Sequence, residues 1–464
     1  MSRSNLRGGA LLVLAVALGT SFAVWQRPEA PKAEPLVFSA TGPLTIAATG
    51  DTLIGRPVAG PDRDAAFDAI VDVVRGATLA ITNLEMNLLA EPNATRARGS
   101  PEPRWAFGSA REAEALAALG FDVVGLANNH AADYGPDGMA DTSAILKASG
   151  LVPAGTGRDL GQAREPVIVG GGSRRIAVLA VAISASPESV ATPARGAVNG
   201  RPGVNPLRYA ADVTVDARTY ETLRRSAPTL QGGGETAGDR FTLLGTSIKK
   251  GTETSVTLVP NAVDLEGILA EVARARAAAE IVVLSVHSHE PSNDSDKPAD
   301  LFRRLAHQAI DAGAQLVVGH GPHRLRGVEV YMGGAILYSV GDFLYWPDGS
   351  QTPPKDAYDA GLDMYSLAMG MSVRPPTAGG AEADGPAFPE GLVAVATFDG
   401  GALRSLGLHP DDFGGNDLPA VRQGVPRRPA PARAVTILDR LARLSQEYDT
   451  TVRIESGVGV VDLK

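Results

Sequence analysis

Five of the seven histidines of this 464-residue chain fall in three short segments, and each segment directly follows an apolar run. His130 stands in the first segment, His287 and His289 in the second, and His320 and His323 in the third. Ligands of open α/β sheets bind at the carboxyl ends of strands, so three strand ends would deliver these imidazoles to one edge. The spacing therefore predicts a metal or catalytic site.

Two further strand-like runs end in carboxylates, Asp51 after Leu44–Thr49 and Glu85 after Thr78–Thr82. The chain has no cysteine, which excludes disulfides, thiolate metal sites and a cysteine nucleophile. Imidazole and carboxylate donors without sulfur suit Zn, Mn, Fe or Ni better than Ca or Mg. Taken alone, Asp51 could begin a turn and Glu85 could be the acidic residue at a helix N-terminus.

Three of the seven histidines also have interpretations that involve no metal. His289 could reach the site together with His287, or it could face solvent. His307 lies on the polar side of a predicted helix, and His409 precedes Pro410 in a predicted loop. We expect both of these residues to lie outside the site.

The elements that must position these residues follow from the pattern of apolar residues. Strand-like and helix-like segments alternate over 44–182, which is typical of a largely parallel sheet covered by helices. The pattern changes over 203–263, where short β segments indicate an insertion, and alternation resumes with the helix Leu265–Ala278. A C-terminal helix is predicted over Val435–Glu447 and one final strand over Val452–Leu463. We expect all the site residues to end strands of the same sheet.

The N-terminal segment is typical of an export signal. Arg3 and Arg7 precede an apolar run over 10–25, and Ser21-Phe22-Ala23 offers small residues for cleavage. The run is shorter than the roughly 20 residues that span a bilayer comfortably, although an uncleaved anchor remains an alternative. We therefore expect 1–25 to be a signal peptide or anchor and the Pro-rich segment 26–43 to be a tether.

Composition excludes two broad classes of protein. Apolar residues make up 44% of the chain and charged residues 20%, which is the composition of a globular protein and not of a disordered one. Acidic residues outnumber basic ones by 52 to 43, for a net charge of −9. A nucleic-acid partner is not expected, because such binders carry a basic face.

The motifs also occur in an order that resembles a known family. They are GDTLIGR (50–56), NLE (83–85), GLANNHAADYGPDG (125–138), VVLSVH (282–287), GHGPH (319–323) and YSVGDF (338–343). This ordered set, over roughly residues 44–345, resembles the bacterial CapA family of capsule or poly-γ-glutamate synthesis proteins. That family shares the calcineurin-like metallophosphatase fold. The resemblance implies a four-layer α-β-β-α sandwich over 44–464, with an insertion at about 203–263.

The resemblance also implies roles for individual residues. The implied ligands of one or two divalent ions (Mn, Zn or Fe) are Asp51, Glu85, Asn129, His287, His320 and His323. Asp51 would be the first-strand metal aspartate and Glu85 the bridging carboxylate. His130 would be the catalytic residue nearest the leaving group. The residues expected to bind substrate or to support the ligands are Asn128, Asp133, His289 and Asp342.

Four positions depart from the pattern of metallophosphatases or of the CapA family. Leu53 stands where metallophosphatases usually carry a histidine, as is common in the CapA family, and this leaves one metal position a ligand short. Ser288 and His289 replace a common Trp-Gly, so that His289 could be a substitute ligand. Asp342 replaces an asparagine and adds a negative charge near the site.

These observations leave three functions open. The first is an exported metal-dependent hydrolase or phosphoesterase of capsule or poly-γ-glutamate metabolism, with an envelope polymer or a phosphoester as substrate. The second is a non-catalytic scaffold in a membrane synthase or export complex. The third is a structural α/β protein with a coincidental histidine cluster.

The N-terminal segment yields a first prediction. We expect the globular part of the chain to be exported, because Arg3 and Arg7 stay on the cytoplasmic side while the apolar run enters the membrane. N-terminal sequencing of the exported protein should give Val24 after cleavage, or the original N-terminus in a membrane fraction if the anchor is retained. Full-length protein in the soluble cytoplasmic fraction would contradict export.

Overall fold

The structure is a computed structural model that describes residues 38, 41–55, 58, 63–90, 107–227, 238–346, 390–414, 422 and 424–463. The predicted signal segment and most of the predicted tether lie outside these residues. Within the described part of the chain, no helix is both long enough and apolar enough to cross a membrane.

The described elements alternate along most of the chain. The strands are β1 (Leu44–Ile54), β2 (Leu79–Leu84), β3 (Asn87–Leu88), β4 (Phe107–Gly108), β5 (Val123–Gly125), β6 (Val152–Ala154), β7 (Thr156–Gly157), β8 (Val167–Gly171), β9 (Arg174–Ala182), β10 (Gly203–Val204), β11 (Tyr209–Asp216), β12 (Arg240–Leu243), β13 (Thr246–Gly251), β14 (Ser255–Pro260), β15 (Ile281–His287), β16 (Leu316–His320), β17 (Val328–Tyr331), β18 (Gly334–Leu337), β19 (Asp342–Trp346), β20 (Glu390–Asp399), β21 (Ala402–Asp412), β22 (Val452–Glu455) and β23 (Val458–Val461). The α-helices are α1 (Ala65–Arg75), α2 (Ala110–Leu119), α3 (Gly135–Ala148), α4 (Leu160–Arg164), α5 (Ala217–Ser226), α6 (Ala262–Ala278), α7 (Asp300–Asp311) and α8 (Pro431–Ser445).

Two mixed sheets form the framework. The first sheet has the strand order β22-β23-β21-β20-β1-β2-β5-β6, and β19 also pairs with β1. The second sheet has the order β17-β18-β16-β15-β9-β8. The central strands of each sheet are parallel: β1, β2 and β5 in the first sheet, and β9, β15 and β16 in the second. Each sheet thus gathers the carboxyl ends of several strands at one edge.

The sheets pack face to face, with helices on their outer faces. One apolar cluster joins their inner faces, with Ile46 and Ile81 from the first sheet and Val283 and Val318 from the second. Helices α1 and α2 cover the outer face of the first sheet, and α6 and α7 cover that of the second. The buried strands are apolar on both faces, as strands between a helix layer and another sheet must be. The predicted metallophosphatase-like four-layer α-β-β-α sandwich is confirmed.

Several details of the sequence-based prediction were wrong. The site residues do not end strands of one sheet, because β1, β2 and β5 belong to the first sheet and β15 and β16 to the second. Periodicity reports the buried faces of a strand but not the sheet to which it belongs. His409 lies in β21 and not in a loop. The predicted final strand is a hairpin of β22 and β23, which turns at Ser456 and Gly457, both with positive φ.

The stretch 203–263 contains a separate small sheet. Its strand order is β12-β13-β11-β14, and α5 packs against it. Val215, Tyr220, Phe241 and Ile248 form a small apolar core of their own. The strand β14 also contacts α7, which ties this sheet to the helix layer of the second sheet.

Helix α8 generates a prediction about stability. Leu441 on this helix is fully buried in the core between the two sheets, whereas Val435 on the same helix is 42% exposed. We expect Leu441→Ala to lower the free energy of unfolding by about 2–5 kcal/mol, since it leaves a cavity. Val435→Ala should change the free energy of unfolding by no more than about 0.5 kcal/mol. Urea unfolding of the two variants checks this, and equal effects would show that α8 does not close the core.

Candidate metal centre

The first sheet places one carboxylate at the centre of the site. Asp51 lies within β1 beside a β-bulge, in register with Asn83 on β2 and with Asp342 on β19. The backbone passes very close here: a Cβ at Gly50 would lie 1.7 Å from the carbonyl oxygen of Gly341. Only glycine allows this approach. Asp51 is fully buried, and Asn83 Nδ2 donates a hydrogen bond of 2.7 Å to its Oδ1.

The second sheet brings two imidazoles to the same carboxylate. His287 and His320 end neighbouring parallel strands in register, and their Nδ1 atoms are 3.0 Å apart. The Nδ1 atom of His320 lies 3.2 Å from Asp51 Oδ1, and that of His287 lies 3.6 Å from it. The hydroxyl of Ser285 is 2.8 Å from His320 Nε2 and orients that ring.

The turn after β16 links the two sheets. Gly321 has a φ of 119°, and its N–H donates a hydrogen bond of 2.7 Å to Asp51 Oδ2. A Cβ at this position would lie 2.9 Å from the backbone of Ser288, so a larger residue has no room. The turn continues through His323, which has a φ of 55° and whose Nδ1 lies 2.7 Å from Asp342 Oδ1.

Glu85 is the most unusual residue of the site. Its side chain is buried, and neither carboxylate oxygen has a hydrogen-bond partner among the described residues. Four imidazole Nε2 atoms surround it: those of His287, His289 and His323 at 3.7 Å and that of His130 at 3.8 Å. These distances are too long for hydrogen bonds.

The same distances fit a shared ion. Bonds of about 2.0–2.2 Å at tetrahedral to trigonal angles place two ligand atoms roughly 3.3–3.8 Å apart. A buried carboxylate with unsatisfied oxygens is costly unless it is paired or coordinates a metal. The donors around Glu85 are imidazole and carboxylate, which divalent transition ions prefer. The residues present therefore fit such an ion.

Three groups of buried or half-buried donors could each hold an ion. They are Asp51 with His287 and His320, Glu85 with His287 and His289, and Asp51 with Glu85 and His323. Within each group the ligand atoms lie within 4.8 Å of one another. Leu53 is fully buried and offers no ligand atom.

The loop after β5 completes the site. Asn129 Oδ1 lies 2.8 Å from His287 Nε2, so that its amide oxygen faces the cluster. Asn128 donates to the carbonyl oxygen of Leu84 and accepts from the N–H of His130, which fixes the loop against β2. Asp133 Oδ2 lies 2.8 Å from His130 Nδ1, which leaves Nε2 as the atom on the Glu85 side.

Burial and charge set the protonation of the cluster. Burial lowers the pKa of His287 to about 4, although Asp51 opposes this shift. His287 is therefore neutral at pH 7, which is the form that binds metal. Burial raises the pKa of Glu85, but the opposing charges are stronger, that of His323 most of all, and they bring the value to about 2. Burial likewise raises the pKa of Asp51, and His320 and His287 reverse this shift, so that the pKa is low.

The structure thus brings together every residue that sequence analysis proposed for the site. Sequence analysis missed Asn83 and Ser285, which touch Asp51 and His320. The signal was available, because alternate residues of a strand share a face. Asn83 lies two residues before Glu85, and Ser285 two residues before His287.

The fold and the cluster together define a metallophosphatase-like protein with a buried carboxylate–histidine centre. The sequence model of a family described as bacterial capsule synthesis protein PGA_cap matches residues 45–345. The chain belongs to this family, and the resemblance drawn from the motifs is confirmed. The names of this family and of its members refer to capsule or poly-glutamate biosynthesis.

Three relatives illustrate the range of similarity. An uncharacterized protein, y4sH, of Sinorhizobium fredii is 36% identical over 90% of this chain and 93% of its own length. A probable polyglutamine synthesis accessory protein of Mycobacterium tuberculosis is 30% identical over 49% of this chain and 46% of its own. The capsule biosynthesis protein CapA of Bacillus anthracis is 25% identical over 76% of this chain and 72% of its own.

The surroundings of Glu85 yield a prediction about metal. Adding Mn²⁺ or Zn²⁺ at about 100 times its dissociation constant should stabilise the unchanged protein by about 2.7 kcal/mol, because the folded state alone binds the ion. Glu85→Gln should abolish most of this gain, since an amide replaces the anionic donor. Thermal unfolding with and without metal measures it.

Glu329→Gln is the matched control. Glu329 is also a buried glutamate beside a histidine, His307, but it lies outside the cluster. This variant should keep the stabilisation by metal even if its own stability is lower. An unchanged metal effect in Glu85→Gln would show that Glu85 is not a ligand.

Proposed function

We propose that this protein is an exported, metal-dependent hydrolase of the phosphoesterase type that acts in capsule or poly-γ-glutamate metabolism. The observation that supports this proposal most directly is the burial of the Glu85 carboxylate inside a ring of imidazole Nε2 atoms. In the described part of the chain, its oxygens have no hydrogen-bond partner. A purely structural role does not account for a charge placed in this way, because isolated buried charges destabilise a fold.

The residues that would hold one or two ions are Asp51, Glu85, Asn129, His287, His320 and His323. When bound, a divalent ion supplies Lewis acidity toward a phosphoryl or acyl oxygen of the substrate. The chain itself contributes the orientation of its donors. Asn83 and Gly321 fix the two oxygens of Asp51, Ser285 fixes the ring of His320, and Asp342 fixes that of His323. Such supporting contacts tune metal affinity.

His130 would act as the general acid. Its Nδ1 faces Asp133 at 2.8 Å, and the carboxylate stabilises the positive charge that the ring carries when both nitrogens hold protons. The ring can then hold a proton at Nε2, 3.8 Å from Glu85 Oε1, and pass it to the oxygen of the leaving group. The histidine and aspartate lie three residues apart in one loop, which keeps this pair together.

The substrate class follows from family membership and charge. An envelope polymer or a phosphoester fits a capsule protein, and export would follow from the N-terminal segment. A nucleic-acid substrate does not fit a chain with a net charge of −9.

Leu53 favours a second candidate function, a non-catalytic scaffold of a membrane synthase or export complex. It is fully buried and offers no donor where metallophosphatases usually place a histidine.

Replacement of His130 distinguishes the hydrolase from the scaffold. We expect the metal-loaded protein to hydrolyse bis-p-nitrophenyl phosphate, and His130→Ala to retain its metal while losing about 10²–10⁴-fold in rate, as is typical of lost acid–base catalysis. Asp133→Asn should lose less, because the ring itself remains. The assay is paired with elemental analysis of the same samples.

Two outcomes would contradict this assignment. Loss of metal from His130→Ala would make His130 a ligand. Failure of the metal-loaded unchanged protein to hydrolyse phosphodiesters or poly-γ-glutamate would favour the scaffold.

A further inference from the structure

His289 lies just beyond the end of β15, in a segment that the backbone holds firmly. Its N–H donates a hydrogen bond of 2.8 Å to the hydroxyl of Ser184. The N–H of the preceding Ser288 donates 2.9 Å to the carbonyl oxygen of His320. The side chain of His289 is only 22% exposed, so it does not face solvent, which was one of the two alternatives left open by the sequence.

The orientation of the His289 ring is set from its outer side. Asn293 Oδ1 lies 2.7 Å from His289 Nδ1, and an amide oxygen can only accept a hydrogen bond. Nδ1 therefore carries the proton in the neutral ring, and Nε2 presents its lone pair. His289 Nε2 lies 3.7 Å from Glu85 Oε1 and 3.1 Å from His287 Nε2.

This arrangement is unfavourable without a cation. In the neutral ring with its proton at Nδ1, the Nε2 lone pair of His289 and the anionic oxygen of Glu85 lie 3.7 Å apart, and both are electron-rich. A divalent ion bound by both atoms would turn this repulsion into two coordination bonds. His287 Nε2 and Asn129 Oδ1, which are 2.8 Å apart, lie on the same side of the cluster.

We infer that His289 is a metal ligand of this chain, acting with Glu85 and His287, and that Asn293 is its positioning residue. The inference rests on the proposed function, which requires a metal, and extends it by adding a ligand. It also identifies a donor that could replace the histidine missing at Leu53. A strand of the first sheet lacks one donor, and the segment after β15 in the second sheet supplies another.

Titration of the metal-free full-length protein with Co²⁺, followed by calorimetry and visible absorption, tests this assignment. Loss of a supporting contact typically costs 10–100-fold in metal affinity, and loss of a ligand should cost more. We therefore expect His289→Ala to weaken Co²⁺ binding by more than about 100-fold and to change the d–d spectrum. Asn293→Ala should weaken binding by about 10–100-fold and leave the spectrum near that of the unchanged protein.

His307→Ala is the matched control. Its imidazole is 25% exposed and also faces a carboxylate, Glu329 at 3.0 Å, but it lies away from the cluster. It should leave Co²⁺ affinity and spectrum unchanged. Thermal unfolding of each metal-free variant shows whether the fold is retained, and His289→Gln, which keeps more of the side-chain volume, replaces the alanine variant if it is not.

One result would overturn the inference about His289 alone, and a different result would overturn the metal-dependent function on which it rests. If the unchanged protein binds Co²⁺ and a folded His289 variant binds it with the same spectrum and within about 100-fold, His289 is not a ligand. If the unchanged protein binds no Co²⁺, Zn²⁺ or Mn²⁺, the proposed metal-dependent function fails as well.

Discussion

The rest of the structure depends on one electrostatic constraint: the Glu85 carboxylate is buried, and no described residue donates a hydrogen bond to it. Removing such a charge from water costs several kcal/mol even after the protein relaxes. The surrounding imidazoles offset this cost in part, as the low pKa of Glu85 indicates. A bound cation would offset it more fully. The loops after β5, β15 and β16 all place Nε2 atoms at nearly the same distance from this one group.

Packing of two sheets makes this convergence possible. Each sheet contains parallel strands whose carboxyl ends lie together, and the apolar inner faces hold the two edges next to each other. The hydrogen bond from Gly321 to Asp51 crosses directly from the second sheet to the first. Because the site is built across the interface between the sheets, its geometry depends on the whole core and not on one loop.

Within this shared scaffold, a few local substitutions change which side chains line the site. The relatives named above include a probable polyglutamine synthesis accessory protein and a capsule biosynthesis protein, and this chain shares their family. Leu53, His289 and Asp342 depart from the metallophosphatase or family pattern, and all three lie on strands or segments that form the site. Exchanges at such positions alter which donors surround an ion while the buried sheets remain the same.

Sequence alone determined the layers and the chemical inventory. Apolar periodicity identified the strands and helices, and motif order identified the family and most of the donors, because both are local properties of the chain. Only the tertiary structure decided that the donors come from two sheets, since periodicity does not encode which strands pair. It likewise decided that His289 faces Glu85, and it showed the contacts of Asn83 and Ser285. These contacts depend on distances between segments that are far apart in sequence, such as those of Asn83 and His287, and packing of the whole core sets such distances.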